Sequence, residues 1–375
     1  MKSNYDALGN YIRLVDTRNT DLVTEQVLGI NIDKYFMPSV ANVIGTDLSK
    51  YKLITKDKFA CNPMHVGRDE RLPVALYTED EPAIVSPAYF MFEIIDNSIL
   101  NEDYLMMWFR RPEFDRLCWL RTDGSVRGGI TWDDICRMKV PVPPLDEQIE
   151  IVQSYQAITD RIALKKQIND NLLNTTDTIF FKMFSERKTD ATISFTDVVQ
   201  LMGGGTPKTE EDSFWNGDVL FFTPKDVSHS PFCVSTEKHL TVEGLNNCSS
   251  RLYPPFTTFV TCRGTVGNLA MAGVSMAMNQ SCYALKGKDD FPPLFVFSFT
   301  RYVIATMKKK ASGAVFSALV TRDFEMEKVF EPNIDDANLF HKRVEPLFAQ
   351  ILANTNEIQQ LSDLQNALLA QLSSF

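Results

Sequence analysis

The feature that most constrains this chain is a repeat, in which two segments carry the same apolar periodicity displaced by 189 residues. Within each segment, seam residues recur at alternating steps of four and three, which is typical of a coiled coil. The first seam runs through Ile151, Tyr155, Ile158, Ile162, Lys165, Asn169, Leu172, Thr176, Ile179 and Met183. The second seam runs through Phe340, Val344, Leu347, Ile351, Asn354, Ile358, Leu361, Gln365, Leu368 and Leu372. The chain therefore consists of two related halves that each end in a long helix.

The matched seams predict that the two helices pair with each other in a pseudo-two-fold arrangement, which an internal duplication favours. Polar seam residues such as Asn169 and Asn354 typically fix one register at some cost in stability. The alternative is that each helix is an ordinary amphipathic helix that packs on its own domain. We assign seven apolar seam residues to a spacer coiled coil: Ile151, Ile158, Ile162, Leu172, Ile351, Leu361 and Leu368.

A region of about 140 residues precedes each helix, and its short runs of Val, Ile, Phe, Tyr and Thr between turn residues predict strands with scattered helices. The fold class is therefore predicted as α+β, with two globular domains in an internal repeat linked by two long antiparallel helices. Strands are predicted at 27–30, 58–61 and 89–92 in the first region and at 219–222, 257–261 and 282–285 in the second. The predicted boundaries are a first domain at 1–144, a central helix at 145–186, a second domain at 187–332 and a C-terminal helix at 333–375.

Composition indicates a protein of the reducing cytoplasm that holds no metal. The most apolar stretch, 291–304, is short and interrupted by Arg301, and the first residues lack the apolar core of a secretory signal. The seven cysteines form no CxxC pair, and none of the four histidines is paired at helical spacing. We therefore predict a cytoplasmic location, with no metal and no cofactor in this chain.

The sequence does not match the catalytic motifs that its glycine-rich and proline-rich stretches resemble at first sight. The glycine-rich stretch 203–209 lacks the G-x-x-x-x-G-K-[ST] spacing of a P-loop, because Lys208 follows Pro207. Neither Ser86-Pro87-Ala88-Tyr89 nor Tyr253-Pro254-Pro255-Phe256 matches the motif of an amino-group methyltransferase, and no cofactor loop accompanies either one. Binding is therefore predicted rather than catalysis.

Each globular region carries one loop in which basic and amide side chains gather among glycines directly after a predicted strand. In the second half this loop spans 261–268, and in the first half it spans 62–68 with Arg71 following. Such glycines allow backbone N–H groups to approach a phosphate, and Arg, Asn and Gln side chains suit base edges. The alternative is an ordinary hairpin turn.

Three sets of residues resemble the specificity (S) subunit of type I restriction-modification systems. The stretch 142–148 (Val-Pro-Pro-Leu-Asp-Glu-Gln) is similar to the start of the family's spacer helix. The stretches 203–207 (Gly-Gly-Gly-Thr-Pro), 214–218 (Phe-Trp-Asn-Gly-Asp) and 222–226 (Phe-Thr-Pro-Lys-Asp) resemble the opening of a target recognition domain. The stretch 263–267 (Arg-Gly-Thr-Val-Gly), with Asn279 and Gln280 following, is similar to the family's central strand and loop. Together with the duplication, the resemblance covers essentially all 375 residues.

The resemblance implies two target recognition domains, each reading one half of a split, asymmetric site on double-stranded DNA in the major groove. The helix pair would set the gap between the half-sites. Two methyltransferase (M) subunits would bind S-adenosylmethionine and methylate adenine, and restriction (R) subunits would use ATP and Mg²⁺ for cleavage. This chain would supply specificity without catalysis. The predicted DNA contacts, each alternatively a surface or turn residue, are Asn62, Arg68 and Arg71 in the first half and Lys208, Lys225, Arg263, Thr265 and Gln280 in the second.

The first half departs from the family pattern. It lacks the Gly-Gly-Thr-Pro opening, and Val27-Leu28-Gly29-Ile30 occupies that place instead. Its loop has His65 where a longer cation is common, and the second helix follows Pro332-Asn333-Ile334-Asp335-Asp336 rather than the Pro-Pro-Leu-x-Glu-Gln motif. The two domains are therefore expected to read different half-sites.

The net charge of −10 opposes a simple DNA binder. Residues 187–332 hold 15 basic and 15 acidic side chains, and the other three segments carry an acidic excess. Because phosphate neutralisation supplies most of the non-specific affinity for DNA, the M subunits are expected to make most phosphate contacts. Two other classes remain open: a scaffold of a phage-defence complex that reads no sequence, and a DNA adenine methyltransferase, which the missing cofactor loop opposes.

Overall fold

The computed structural model describes residues 5–41, 43–64, 66–122, 128–185, 192–310 and 318–372. The chain forms two compact units. The first unit comprises Met1–Asp160 together with Ser362–Phe375, and the second unit comprises Arg161–Leu361. Each unit therefore contains one mixed α/β globule and a part of each long helix.

The first unit contains ten described strands. They are β1 (Tyr5–Ala7), β2 (Ile12–Leu14), β3 (Val27–Ile30), β4 (Phe36–Pro38), β5 (Lys52–Ile54), β6 (Lys58–Cys61), β7 (Val74–Tyr77), β8 (Ala83–Val85), β9 (Phe90–Ile94) and β10 (Lys139–Pro141). Two four-stranded sheets have the orders β2-β9-β6-β7 and β4-β3-β8-β5, and β1 pairs with β10 in a two-stranded ribbon. Strand β6 lies inside its sheet, and alternate residues face different cores: Phe59 packs among helices, and Ala60 packs toward the other sheet.

The helices of this globule are α1 (Val66–Asp69), α2 (Glu102–Phe109), α3 (Pro112–Leu120) and α4 (Trp132–Cys136). Helix α2 begins after Asn101, whose side chain accepts a hydrogen bond from the Tyr104 N–H at 3.0 Å. It ends at Phe109 because Arg111 has extended backbone angles and Pro112 opens the next helix. The first unit therefore contains a sharp corner between α2 and α3.

The second unit contains the strands β11 (Thr192–Ser194), β12 (Val199–Gly203), β13 (Trp215–Phe222), β14 (Phe232–Cys233), β15 (Lys238–Leu240), β16 (Thr258–Thr261), β17 (Leu269–Ala272), β18 (Ala277–Met278), β19 (Cys282–Gly287) and β20 (Lys328–Phe330). Its short helices are α6 (Phe195–Val198), α7 (Val242–Asn246) and α9 (Thr321–Met326), and its longer helix is α8 (Pro293–Lys310). The sheets have the orders β12-β19-β16-β17-β14 and β15-β13-β18, and β11 pairs with β20 in a ribbon.

The sheet orders of the two units correspond strand by strand. The order β2-β9-β6-β7 in the first unit has the counterpart β12-β19-β16-β17 in the second. In the other sheet of each unit one pair of strands is parallel, β3 with β8 and β13 with β18. Strand β20 begins and ends 189 residues after β10, which is the displacement of the two seams. The predicted duplication and the mixed α/β class are thus confirmed.

The long helices are α5 (Leu145–Phe180), which continues into a π-helical turn at Phe181–Ser185, and α10 (Ile334–Gln371). They run antiparallel within the second unit. Arg161 bonds Glu357 at 2.6 Å, and Arg343 bonds the Met183 sulfur at 3.6 Å, so that rising numbers on one helix meet falling numbers on the other. The prediction of two long antiparallel helices is confirmed.

Candidate nucleic-acid interface

Four loops of the second unit converge at one edge of its sheets. Asn279 N–H donates to the Phe222 carbonyl at 3.0 Å, which joins the segment after β18 to the end of β13. Gly205 N–H donates to the Met278 carbonyl at 3.1 Å, which adds the loop after β12. Cys262 N–H donates to the Ser281 carbonyl at 2.8 Å, which adds the loop after β16. We call the segments 203–207, 223–226, 262–268 and 279–281 together the second-unit edge.

Glycines make this convergence possible. A Cβ atom on Gly204 would lie 2.2 Å from the Asn279 carbonyl oxygen, and one on Gly205 would lie 2.3 Å from the Ser249 hydroxyl oxygen. Real side chains do not tolerate such distances, so only glycine permits the loop after β12 to lie against these backbones. Gly264, in the loop after β16, has a φ of 77°, which L residues rarely adopt.

The structure brings four of the five residues predicted as DNA contacts in this half to the second-unit edge. Arg263 and Thr265 are exposed in the loop after β16, and within the described chain the Arg263 guanidinium has no ion pair. Gln280 is exposed, and its side-chain oxygen accepts a hydrogen bond from the Thr206 hydroxyl. Lys225 is 79% exposed, and its ammonium lies 4.0 Å from Glu237. Exposed cations and amides of this kind suit phosphate and base contacts.

Lys208 directly follows Pro207, at the end of segment 203–207 of the second-unit edge. Its carbonyl accepts a hydrogen bond from the Trp215 indole at 3.1 Å, at the beginning of β13. Lys225 instead follows the end of the same strand. Trp215 is half-buried and packs edge-to-face on Phe221, so the indole anchors the segment that carries Lys208.

Helix α8 supports the loop after β16. The Lys308 ammonium donates to the Gly267 carbonyl at 3.2 Å. Lys310 forms an ion pair with Glu327, whose side chain is 11% exposed. These two lysines therefore contact protein groups. Sequence reasoning did not identify Lys308 or Thr206 as loop supports, although Thr206 lies within the motif 203–207.

The three residues predicted as DNA contacts in the first half lie in one loop, which we call the first-unit loop, from Asn62 to Pro73. It follows β6, the counterpart of β16. Asn62 N–H donates to the Pro73 carbonyl at 2.9 Å, which closes the base of the loop. The Asn62 side-chain oxygen accepts from Met64 N–H at 3.1 Å, so this side chain shapes the turn. His65 lies outside the described residues.

Carboxylates pair with both arginines of the first-unit loop. Arg68 bonds Asp69 at 2.6 Å, and this hydrogen bond raises the pKa of the guanidinium above its usual value. Arg71 lies 3.2 Å from Asp33 in the turn between β3 and β4. All four side chains have substantial solvent contact except Asp69, so each pair is weak and exchangeable.

The seven residues assigned to the spacer seam all lie on the long helices and are buried or half-buried. Ile162 is 9% exposed and Ile351 fully buried, and the others are intermediate. Ile351 and Leu172 also belong to the apolar core of the second unit, and Ile151 to that of the first. The long helices therefore contribute to the apolar cores of the globules as well as packing on each other.

A polar cluster interrupts the seam within the second unit. Asn354, which is 1% exposed, donates from its amide to the Asn169 side-chain oxygen at 2.8 Å. Its own oxygen accepts from Lys165 at 3.0 Å and from Gln350 at 2.9 Å. Because buried polar groups are costly unless paired, this cluster disfavours any other register of the two helices.

Within the described ranges, no group of three or more His, Cys, Asp or Glu side chains is arranged to hold a metal ion. No described helix is long and apolar enough to cross a membrane. All seven cysteines are free thiols, and burial raises the pKa of Cys262, beside the loop after β16, to about 12. This thiol is therefore protonated at neutral pH and is a poor nucleophile.

The two units share a strand order, and each carries a loop with exposed arginine after an equivalent strand, so the chain is an internally duplicated protein with two long paired helices. A family model described as "Type I restriction modification DNA specificity domain" matches residues 74–174 and 189–362, in both halves of the chain. The chain belongs to the type I restriction-modification DNA specificity domain family.

Three known proteins illustrate the similarity. The specificity subunit of the type I restriction enzyme HindI from Haemophilus influenzae is 27% identical over 186 residues, which cover 48% of this chain and 40% of that subunit. The putative type I restriction enzyme MjaX specificity subunit from Methanocaldococcus jannaschii is 21% identical over 397 aligned positions, covering 98% of this chain and 87% of that subunit. The crystal structure of the S subunit of a type I restriction-modification system from M. genitalium shares the fold, with a TM-score of 0.57, 13% identity and coverage of 99% of this chain and 96% of that one. The aligned part of the H. influenzae relative is less than half of its length.

Proposed function

We propose that this chain is the DNA sequence-specificity subunit of a type I restriction-modification complex, and that it is not itself catalytic. Each unit reads one half of a split, asymmetric site in the major groove. The observation that carries the proposal is the pair of corresponding loops after β6 and β16, which follow equivalent strands and present different side chains. Equivalent positions with different chemistry are what a protein needs to read two different half-sites.

The side chains at the two loops suit this role. Arg263 and Gln280 present donors and an amide to solvent at the second-unit edge, and such groups pair with guanine and adenine edges. Arg68 and Arg71 present guanidiniums in the first-unit loop. The exposed ion pairs of these arginines are weak enough for a DNA phosphate or base to replace the carboxylate.

The proposal includes partners, cofactors and location. Two M subunits bind S-adenosylmethionine and methylate one adenine in each half-site, and R subunits use ATP and Mg²⁺ to cleave DNA. The net charge of −10 supports a division in which the partners make most phosphate contacts, because the acidic chain alone gains little from counterion release. The complex acts in the cytoplasm, where double-stranded DNA is available.

The long helices set the gap between the half-sites. Inserting one heptad into both α5 and α10 adds roughly 10 Å at ~1.5 Å per residue. We expect the gap in the recognised sequence to lengthen by about three base pairs at ~3.4 Å each, with both half-site sequences unchanged. A methylome with an unchanged gap contradicts this role of the helices.

Methylome sequencing tests the function directly. A methylation-free host expresses this chain with its neighbouring M subunit, and the control host expresses the M subunit alone. We expect a split, asymmetric adenine motif only when both chains are present. Exchanging residues 187–332 for the matching domain of a relative is expected to change one half-site only. A stable complex without any motif contradicts sequence reading and favours the scaffold function.

A further inference from the structure

Lys34 is a buried cation in the first unit. It lies in the turn between β3 and β4, is 5% exposed and has a φ of 68°. Its ammonium donates to the Phe109 carbonyl and to the Asp115 carboxylate, the latter at 2.7 Å, and lies 4.9 Å from the centre of the Phe114 ring. The ammonium therefore fills the corner between α2 and α3, where a cation stabilises the free carbonyls at a helix C-terminus.

Asp115 connects this corner to the first-unit loop. The same oxygen that contacts Lys34 accepts a hydrogen bond from Leu72 N–H at 3.1 Å. Leu72 is 1% exposed and directly follows Arg71, whose guanidinium bonds Asp33 at 3.2 Å. Asp33 directly precedes Lys34. The backbone after Arg71 and the side chain of Arg71 are thus both attached to the same corner.

Stability alone does not account for the buried pair. Burial lowers the pKa of Lys34 from its usual value, because desolvation opposes the charged form. Replacing a buried ion pair with apolar residues of similar volume is often neutral or stabilising. The distinctive consequence of this pair is geometric, since it presents a fixed acceptor to Leu72 N–H.

We propose that Asp115 is a positioning residue that orients Arg71 and thereby determines the specificity for the first half-site, an inference that rests on the proposed function. Lys34 neutralises the Asp115 carboxylate, and the carboxylate oxygen fixes the backbone at Leu72. The backbone of Arg71 is thus held in one position. When DNA binds, the exposed guanidinium exchanges its bond to Asp33 for a contact with DNA.

Two double variants separate the hydrogen bond from the charges. K34M/D115N and K34M/D115L both remove the buried charges, and asparagine and leucine share the same branching at Cγ. Only asparagine offers an oxygen to Leu72 N–H. Each full-length variant is purified with its M subunit, and methylation rates are compared on the cognate duplex and on duplexes changed at one base. We expect K34M/D115L to lose discrimination at the first half-site by about tenfold, within the range of one base contact, and K34M/D115N to retain it.

Discrimination at the second half-site is the internal control and is not expected to differ between the two double variants. The thermal unfolding temperature of K34M/D115L is expected to be the lower of the two, because the buried Leu72 N–H loses its acceptor. Lys310→Met, which removes the ion pair with Glu327 in the second unit, is a matched control and is expected to leave the first half-site unchanged. Equal discrimination by the two double variants overturns the proposal. A wild-type complex that methylates no defined motif contradicts the proposed function instead.

Amide exchange in the unaltered chain gives a second test that does not depend on the folding of a variant. The Leu72 N–H is expected to exchange as slowly as the amides of the adjacent strand β7, because Asp115 protects it. Exchange of the Leu72 amide at the rate of an exposed loop overturns the proposal.

Discussion

The two units share one sheet order but differ in the helix that comes after β9 and β19. In the second unit α8 runs for 18 residues, whereas in the first unit the equivalent region is divided into α2 and α3 at Pro112. The side chains that hold the loop after β16 and the first-unit loop in place differ accordingly. Lys308 on the continuous helix bonds the Gly267 carbonyl, and the Lys34 and Asp115 pair in the corner bonds Leu72 N–H. Strand pairing is thus retained in both halves, while each half supports its loop with different side chains.

The units also differ in the segments after β3 and β13. The turn after β3 is short and leads directly into β4. The segment after β13 is longer and bonds both long helices within the second unit. His229 contacts Asp170 at 2.9 Å, Ser230 contacts Thr355 at 2.7 Å and Ser235 bonds Gln359 at 3.0 Å. The second globule is therefore attached to the helices by side-chain contacts that the turn after β3 does not provide within the described residues.

The largest expected effect concerns the glycines that distinguish the second-unit edge from the first-unit loop. Gly204→Ala places a Cβ atom 2.2 Å from a backbone oxygen, which cannot move without shifting β18 and its neighbours. We expect the second unit to lose about 3 kcal/mol of unfolding free energy, as overpacking of a tight contact does. Urea unfolding followed by the tryptophan signal measures the change.

Gly203→Ala is the matched control for this prediction, because a Cβ atom there meets no heavy atom within 4 Å. Gly203→Ala is expected to change the free energy of unfolding by no more than about 1 kcal/mol, the usual difference between glycine and alanine within secondary structure. Equal losses in the two variants would show that the close approach at Gly204 is not what requires glycine.

The next prediction compares polar seam residues of the long helices in the two units, Asn354 in the second and Gln365 in the first. Asn354→Ala removes the amide that bonds the buried Asn169 in the second unit and one of the two partners of Lys165, which keeps its ion pair with Glu357. We expect a loss of about 2 kcal/mol, the cost of unpaired buried polar groups. Gln365→Ala, which removes a bond to the half-buried Thr159 in the first unit, is expected to cost about 1 kcal/mol or less. A larger loss of unfolding free energy from Gln365→Ala than from Asn354→Ala would contradict the inference that Asn354 fixes the register of the two helices.

A smaller effect is expected from the ion pairs that hold the arginines of the first-unit loop. Arg263 of the second-unit edge has no such pair within the described residues. Asp33→Asn removes the carboxylate that pairs with Arg71 and that, under the proposed function, competes with DNA for the guanidinium. We expect non-specific DNA affinity of the intact complex to rise by about two- to fivefold at low salt, consistent with a weak exposed pair. Fluorescence anisotropy on a non-cognate duplex measures it. Asp80→Asn, which removes another exposed pair with Lys56, is the control and is expected to leave affinity unchanged.

The smallest effect concerns the pH dependence of the helix pair. Hydrogen bonds from Lys165 and Arg161 lower the pKa of Glu357 below its ordinary value of 4.5. Because the folded-state pKa is lowered, the stabilisation is fully present above about pH 4.5 and is lost as the pH falls through the folded-state value. Glu357→Gln is expected to flatten the fall of the urea midpoint at acidic pH. Glu243→Gln, on α7, is expected to leave that fall unchanged.

Much of the fold could be predicted from the sequence because periodicity is a local signal. The two seams and the strands that include Phe59, Phe222 and Phe259 depend on residues close together in the chain. The loop residues Arg263 and Gln280 were also identified, since glycine-rich turns after strands are visible without tertiary information.

The contacts that give these loops their shape could not be predicted. Lys34 and Asp115 are 81 residues apart, and nothing near Lys34 distinguishes it from an ordinary turn lysine. The pairing of Thr206 with Gln280 likewise spans 74 residues. Such partners are set by how sheets and helices meet, which one sequence does not specify position by position.

The two-stranded ribbons have a consequence for the gene. In the first globule β1 pairs with β10, and in the second β11 pairs with β20, so that the chain enters and leaves each globule at adjacent backbones. A recombination event with one crossover at each strand of a single ribbon would replace the globule between those strands and leave the long helices in frame. Under the proposed function, each ribbon would therefore mark the two joints at which the gene could acquire a new half-site in a single exchange, without any new residue in the helices.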